Sequence, residues 1–227
     1  MKKIITLLSI ICLLCSAANA SVLLTASPLG QGKIGLAGAL GGVYNITSPF
    51  TPQNSPAYGL AGLIGYGLTN ELDIYGKAGY STMINLPAGT DSVNGSAFSG
   101  VLKYALLKES SSMPVSVAVA AGYSAASTDI SYLSGAVKMQ AASGDLGIGV
   151  ITSKVMVPFV PYAALASHSY DTKVATISST KTQNWELALG SYMFLSRSTA
   201  IVAEWSTAMQ IDQQPSTAIT IGYMQTL

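Results

Sequence analysis

The chain has 227 residues, 49% of them hydrophobic and only 9% charged, where an ordinary soluble domain has about a quarter of its residues charged. Something other than water must face much of its surface. Setting Lys2 and Lys3 aside leaves nine basic residues against ten acidic ones, a net charge near −1, which excludes a basic surface for nucleic acid.

The first twenty residues have the three parts of a secretory signal peptide: Lys2 and Lys3, an apolar run from Ile4 to Cys15, and the small-x-small end Ala18-Asn19-Ala20. Cleavage is expected after Ala20, with Ser21 as the first mature residue. Cys12 and Cys15 follow Ile11 and Leu14, where a lipoprotein signal needs a small residue, so lipidation is not expected. Both cysteines leave with the head, and the mature chain then has neither a disulfide nor a thiol for metal or nucleophilic chemistry. Export also excludes a cytoplasmic enzyme.

After Ala20 no stretch approaches the roughly 20 consecutive apolar residues of a membrane helix, so a membrane fold must be built from strands. The clearest strand covers 32–44. Ile34, Leu36, Leu40 and Tyr44 share one parity, while Lys33, Gly35, Ala37, Ala39 and Gly41 share the other. Lipid-sized groups on one face and small or charged groups on the other is the period of a membrane strand. The pattern returns at 57–68, with Tyr58, Leu60, Ile64, Tyr66 and Leu68 on the large face, and a tight turn at Thr69-Asn70 leads into 72–80.

Further strands are expected at 96–107, 114–124, 143–153, 157–168, 182–194, 198–207 and 217–227, which makes ten. The weakest are 143–153 and 157–168, because Pro158 and Pro161 donate no ladder hydrogen bond and because 130–138 reads either as a strand extension or as a loop; eight strands is the alternative count. Long connections at 45–56, 84–95, 125–142, 169–181 and 208–216 alternate with short ones, the asymmetry of an outer-membrane barrel with both termini in the periplasm. The reading is one domain over 21–227: an all-β, transmembrane, antiparallel up-and-down β-barrel in the outer membrane of a Gram-negative cell.

Two segments carry a family resemblance. Gly65-Tyr66-Gly67-Leu68-Thr69-Asn70-Glu71-Leu72-Asp73-Ile74-Tyr75-Gly76-Lys77-Ala78-Gly79-Tyr80 resembles the second hairpin of small barrels related to outer-membrane protein A and the opacity proteins. Ser191-Tyr192-Met193-Phe194-Leu195-Ser196, leading into Ala200-Ile201-Val202-Ala203-Glu204-Trp205, resembles their penultimate hairpin. These motifs imply architecture rather than an activity. The chain departs from the family at its end, with Leu227 where an aromatic residue is common and Gln225 where an outward apolar one is usual, which weakens the signal for the barrel-assembly machinery. No peptidoglycan-binding region follows, so the anchoring role of longer members does not carry over.

Candidate chemistry is sparse. His168 is the only histidine, with Ser167, Ser169 and Asp171 beside it, but sequence neighbours on a strand face opposite ways, so the cluster is no ready-made triad and is read as a rim or loop histidine. No catalytic residue, metal site or cofactor is expected. A network of charges has the inward parity: Lys33, Asp73, Lys77 and Lys103 on early strands, Glu186 and Glu204 on late ones. On the lipid face a basic residue at mid-membrane would cost about 2–4 kcal/mol, so these charges belong inside.

A turn near 195–197 would bring Glu186 within a diagonal step of Glu204, and Lys77 or Lys33 is expected to reach across the lumen to them as a plug or narrow filter, or as structural ion pairs. The remaining inward residues are Gly, Ala and Ser, which leaves room for a water-filled pore or for closure by the 125–142 loop.

Outward aromatics gather near strand ends: Tyr44, Tyr58, Tyr80, Phe98, Tyr123 and Trp185 toward the loops, Tyr66 and Tyr104 toward the turns. They read as interfacial girdles. The expected partners are outer-membrane lipids and lipopolysaccharide, the assembly machinery during biogenesis, and small solutes or ions. The expected function is a porin-like or structural barrel; the alternatives are a surface adhesion or recognition protein acting through its loops, a rim-located lipid-modifying enzyme dependent on His168, and, weakest, a soluble periplasmic ligand-binding barrel.

Overall fold

The computed structural model describes residues 24–44, 56–84, 86, 90–132, 135–174, 177–210 and 216–227. The signal peptide expected at 1–20, nearly all of the loop expected at 45–56 and the centre of that at 208–216 lie outside them. Ten strands close into one barrel: β1 (Ile34–Tyr44), β2 (Ala57–Gly67), β3 (Leu72–Met83), β4 (Thr90–Leu107), β5 (Ser116–Tyr132), β6 (Val137–Ser153), β7 (Phe159–Val174), β8 (Ile177–Phe194), β9 (Thr199–Gln210) and β10 (Ser216–Thr226). Each is antiparallel to the next, and β10 returns to pair with β1 through Gly35↔Thr226 to Tyr44↔Thr217. The count is ten, not eight.

The barrel is inverted relative to a soluble one. Leu40, Phe98 and Ile148 are 69%, 67% and 66% exposed on the outer wall, while Ala57, Asp73, Ala118 and Ala188 are fully buried inside. Every strand keeps the alternation, so one face meets an apolar surrounding and the other packs the lumen. The turn between β2 and β3 is fixed locally: the Thr69 hydroxyl accepts from the backbone N–H of Glu71 and Leu72, and Leu72 O accepts from Leu68 N.

Three of the expected long loops are largely wall. β4 begins at Thr90, β5 runs to Tyr132, β6 starts at Val137, β7 ends at Val174 and β8 starts at Ile177, so much of 84–95, 125–142 and 169–181 is strand. Hydropathy conceals these extensions because their outward members, such as Ser127, Asp129, Lys138, Gln140 and Lys173, are polar, and no large apolar residue marks the period. β4 to β8 have 16 to 18 residues against 11 or 12 in the others, so one side of the barrel stands higher by about five residues, roughly 16 Å.

Pro161 lies within β7 opposite Ser191, and its carbonyl accepts from Lys154 N. It needs only to accept there, and the strand tolerates it.

The segment before β1 is not part of the wall. Residues 24–33 fold into the mouth of the barrel at the end of the short turns, where Leu24 and Ala26 are buried. Gly30 and Gly32, at φ 92° and 77°, turn the chain from the lumen to the start of β1. Gly67 N donates to Lys33 O and Gly32 N to Gly67 O, which stitches the segment to the end of β2.

Candidate functional site

Among the described residues the lumen-facing charges form two groups. The lower one, near the turn end, is built on a direct cross-strand pair. Asp73 and Lys103 are register partners on β3 and β4, and Lys103 Nζ lies 3.0 Å from Asp73 Oδ2 with both side chains essentially inaccessible. A buried pair needs further hydrogen bonds to offset its desolvation. Here they come from Tyr75 and the entering segment: the Tyr75 hydroxyl donates to Asp73 at 2.9 Å, Leu29 N donates to the same carboxylate, and Lys103 donates to Thr25 O and Ser27 O. Ala26 N adds a bond to Ser153 Oγ on β6. The ion pair thus supplies both signs of hydrogen-bonding group to an irregular backbone that has no strand partner.

The upper group spans the middle of the lumen. His168 on β7 sits opposite Gly147 of β6 and Asn184 of β8, so Asp145 and Glu186 are each a diagonal step away on either side. His168 Nδ1 is 2.9 Å from Asp145 Oδ2, and Nε2 is 3.4 Å from Glu186 Oε2. Gly147 makes room for the ring, since a Cβ there would lie 3.0 Å from His168 Nδ1. Also from β7, the Tyr162 hydroxyl reaches past β8 and donates to Glu204 on β9 at 2.6 Å. Lys77, from β3 on another part of the wall, interacts electrostatically with both Glu204 and Glu186.

Glu186 and Glu204 are not a diagonal pair. Glu204 lies opposite Gly190, and Glu186 opposite Ala208, so their backbone positions are offset by four residues along the strand, roughly 13 Å. Lys77 relates them instead. Lys33, assigned inward by parity, is exposed at the mouth, because β1 starts only at Ile34. His168 is neither a rim nor a loop residue; it faces the lumen.

Sequence reasoning also passed over Asp145, Tyr75, Tyr162 and Tyr192, all buried and inward. The signal for Asp145 was present in the parity: with Leu146, Ile148 and Val150 outward, residue 145 must point in. The same rule places His168 inward, since Leu165 faces out.

Two carboxylates bracket His168, one at each ring nitrogen. No nitrogen remains to take a proton from a hydroxyl, and Ser167 and Ser169 lie on the opposite face of the strand. No group of three or more His, Cys, Asp or Glu with metal-holding geometry occurs among the described residues.

Above the lower group a cavity of about 120 Å³ is lined by Leu24, Lys77, Ser124, Asp145, His168 and Glu186 among others. Toward the loop end Ser81, Thr128, Ile130 and Thr172 are buried and fill the interior. On the outer wall Tyr44, Tyr58, Tyr66, Tyr80, Phe98, Tyr104, Tyr123 and Trp185 all stand exposed, with Tyr44 and Tyr58 edge to face at 6.3 Å. Beyond Phe98 on β4 and Tyr123 on β5, and above Leu146 on β6, the outward residues are small or polar.

No family model matches the chain, and no curated protein matches it. Solved structures similar to it include the outer membrane protease OmpT from Escherichia coli, at 11% identity and a TM-score of 0.45 over 86% of this chain and 93% of that one. The translocator domain of the autotransporter NalP from Neisseria meningitidis is 10% identical, with a TM-score of 0.48 over 86% of this chain and 88% of that one. An outer membrane channel from Pseudomonas putida F1 is 8% identical, with a TM-score of 0.49 over 87% of this chain and 96% of that one. At such identities no activity passes from these proteins to this chain.

Proposed function

We propose that this chain is an exported, non-enzymatic outer-membrane barrel whose lumen is closed, serving the envelope as a structural and surface-presenting element rather than as a diffusion pore. The observation that carries this reading is the 24–33 segment, hydrogen-bonded into the turn-end mouth through Asp73, Lys103 and Ser153. The packed loop-end interior supports it from the other side. The outward aromatics fit an interfacial girdle against outer-membrane lipid and lipopolysaccharide.

Conductance of the refolded 21–227 chain in a planar bilayer tests the closure. A silent, folded barrel is the expected result, and reproducible single-channel steps from the unmodified chain would overturn it.

One observation favours a second reading, surface recognition. The tall side built from β4 to β8 extends a polar outer face well beyond the aromatic ring level, and such a wall presents a rigid platform outside the membrane. Shortening the β5–β6 hairpin while keeping the barrel folded should then abolish binding to a host or phage surface. A lipid-modifying role at His168 draws no support from an imidazole held between two carboxylates.

A further inference from the structure

Among the described residues the upper lumen group has an unbalanced charge. Asp145, Glu186 and Glu204 are acidic; Lys77 is basic, and His168, between two of the carboxylates, adds at most one further positive charge, when both its nitrogens carry protons. Three acidic groups therefore face at most two positive ones, while Asp73 and Lys103 cancel each other below. An uncompensated charge in a buried site is strongly unfavourable, so the group must take up either a proton or a cation.

Geometry distinguishes the two. Asp145 and Glu186 are 5% and 8% exposed, and each uses one carboxylate oxygen on His168. Their other oxygens, Asp145 Oδ1 and Glu186 Oε1, are buried without a hydrogen-bond partner, and both residues line the 120 Å³ cavity. The Ser99 and Ser124 side chains belong to the same lining. Apart from the Lys77 and His168 nitrogens, the polar groups lining the space are oxygens, which suit hard cations, and with His168 protonated the charge deficit is one, which suits a monovalent ion where a divalent ion would leave an excess.

We propose that the lumen holds one small monovalent cation, an alkali-metal ion or ammonium, between Asp145 Oδ1 and Glu186 Oε1. The ion completes the network that fills the mid-barrel. Access is shut by the 24–33 segment below, so the ion enters as the barrel folds. The inference rests on the closed-lumen reading, which bilayer conductance tests separately.

The experiment refolds the mature chain from urea into detergent micelles in the chloride of sodium, potassium, ammonium or N-methylglucamine, at equal ionic strength, and measures the thermal midpoint. N-methylglucamine is too large for the cavity. At least one small cation is expected to raise the midpoint saturably over N-methylglucamine, by about 5–10 °C at an excess of a hundred dissociation constants. The ion giving the largest shift separates alkali metal from ammonium.

Asp145→Asn and Glu186→Gln, which cancel the excess charge, should erase the difference, while Glu71→Gln, at an exposed turn, should keep it. Equal midpoints in all four salts, or a difference that survives both lumen variants, would overturn the proposal. Should the variants fail to fold, crystals of the unmodified protein refolded in rubidium chloride decide: an anomalous peak between the two free oxygens supports the site, and its absence sinks it.

Discussion

The Tyr162 hydroxyl reaches Glu204 by passing over Gly190. The three residues form one row across β7, β8 and β9, with Tyr162 opposite Gly190 and Gly190 opposite Glu204, so the absent side chain in the middle is what lets the ring bridge two strands. A Cβ at position 190 would lie 2.6 Å from Tyr162 Cε1 and closer still to Cζ and the hydroxyl oxygen. Gly190→Ala should therefore destabilise the barrel by about 1–3 kcal/mol through overpacking. Tyr162→Phe, which deletes only the hydrogen bond to a carboxylate, should cost about 1.5–3 kcal/mol. Urea midpoints of barrels refolded into lipid vesicles measure both.

Gly67 has the same relation to the entering segment. A Cβ there would fall on the backbone carbonyl of Gly30, and backbone cannot swing aside as a side chain does. Gly67→Ala is expected to displace 24–33 from the mouth without breaking the barrel, giving current steps in a planar bilayer and new protease sensitivity near residue 30. Gly62→Ala is the control, because a Cβ at Gly62 meets nothing within 4 Å. Conductance that is the same for both variants would show that the segment does not seal the mouth.

What could be read from the chain follows from where periodicity exists. In β1 to β3 most of the large apolar residues share one parity, and Leu36, Leu60 and Ile74 disclose their face without further information. In the upper parts of β5, β6 and β7 the outward face is polar or small, so Ser127 and Lys138 look like loop although they are wall. The 24–33 segment has no period at all, and its partners Asp73, Lys103 and Ser153 lie 44 to 127 residues away.

Likewise the inward parity of Glu186 and Glu204 was legible, but their spacing depended on register. Once Gly190 is seen opposite Glu204, the supposed diagonal pair separates and His168 takes the place of the missing partner.

Because Asp73 and Lys103 are both inaccessible, removing one leaves the other charged and buried. Lys103→Met alone should cost about 3–5 kcal/mol. It should also loosen the 24–33 segment, since Thr25 O and Ser27 O lose their donor. The Asp73→Asn, Lys103→Met double variant should cost less than the sum of the two single ones, because it buries no lone charge. A double-mutant cycle on urea unfolding energies tests this, and simple additivity would contradict the pairing.

At the β2–β3 turn, the Lys108 ammonium bonded to Glu71 at 2.7 Å holds that carboxyl below its usual range, with the Thr69 hydroxyl assisting. A folded-state value lower than the unfolded one means that stabilisation is complete above the unfolded value near 4.5 and is lost as pH falls through the folded one. Both side chains are largely in water, so the contribution is small and screened by salt. Glu71→Gln should flatten the acid limb of the stability curve below pH ~4.5 and leave neutral pH nearly unchanged; an unchanged acid limb would show that the contact does not persist in solution.

The level of the membrane on the tall side can be fixed by placing one charge at two heights. Ile148 and Gln140 both lie on β6 facing outward, but Ile148 is level with the apolar band whereas Gln140 stands above Tyr123 among polar neighbours and bonds Ser127. A lysine at mid-membrane costs about 2–4 kcal/mol, and near the interface about 0–1. Ile148→Lys should therefore lose that larger amount in lipid vesicles, and Gln140→Lys should be near neutral. In a detergent with a small micelle the gap should shrink, since the penalty comes from lipid rather than from packing. If Gln140→Lys proved as costly as Ile148→Lys, the upper half of β6 would lie within the bilayer, and the polar wall assigned to the exterior would have to be reassigned.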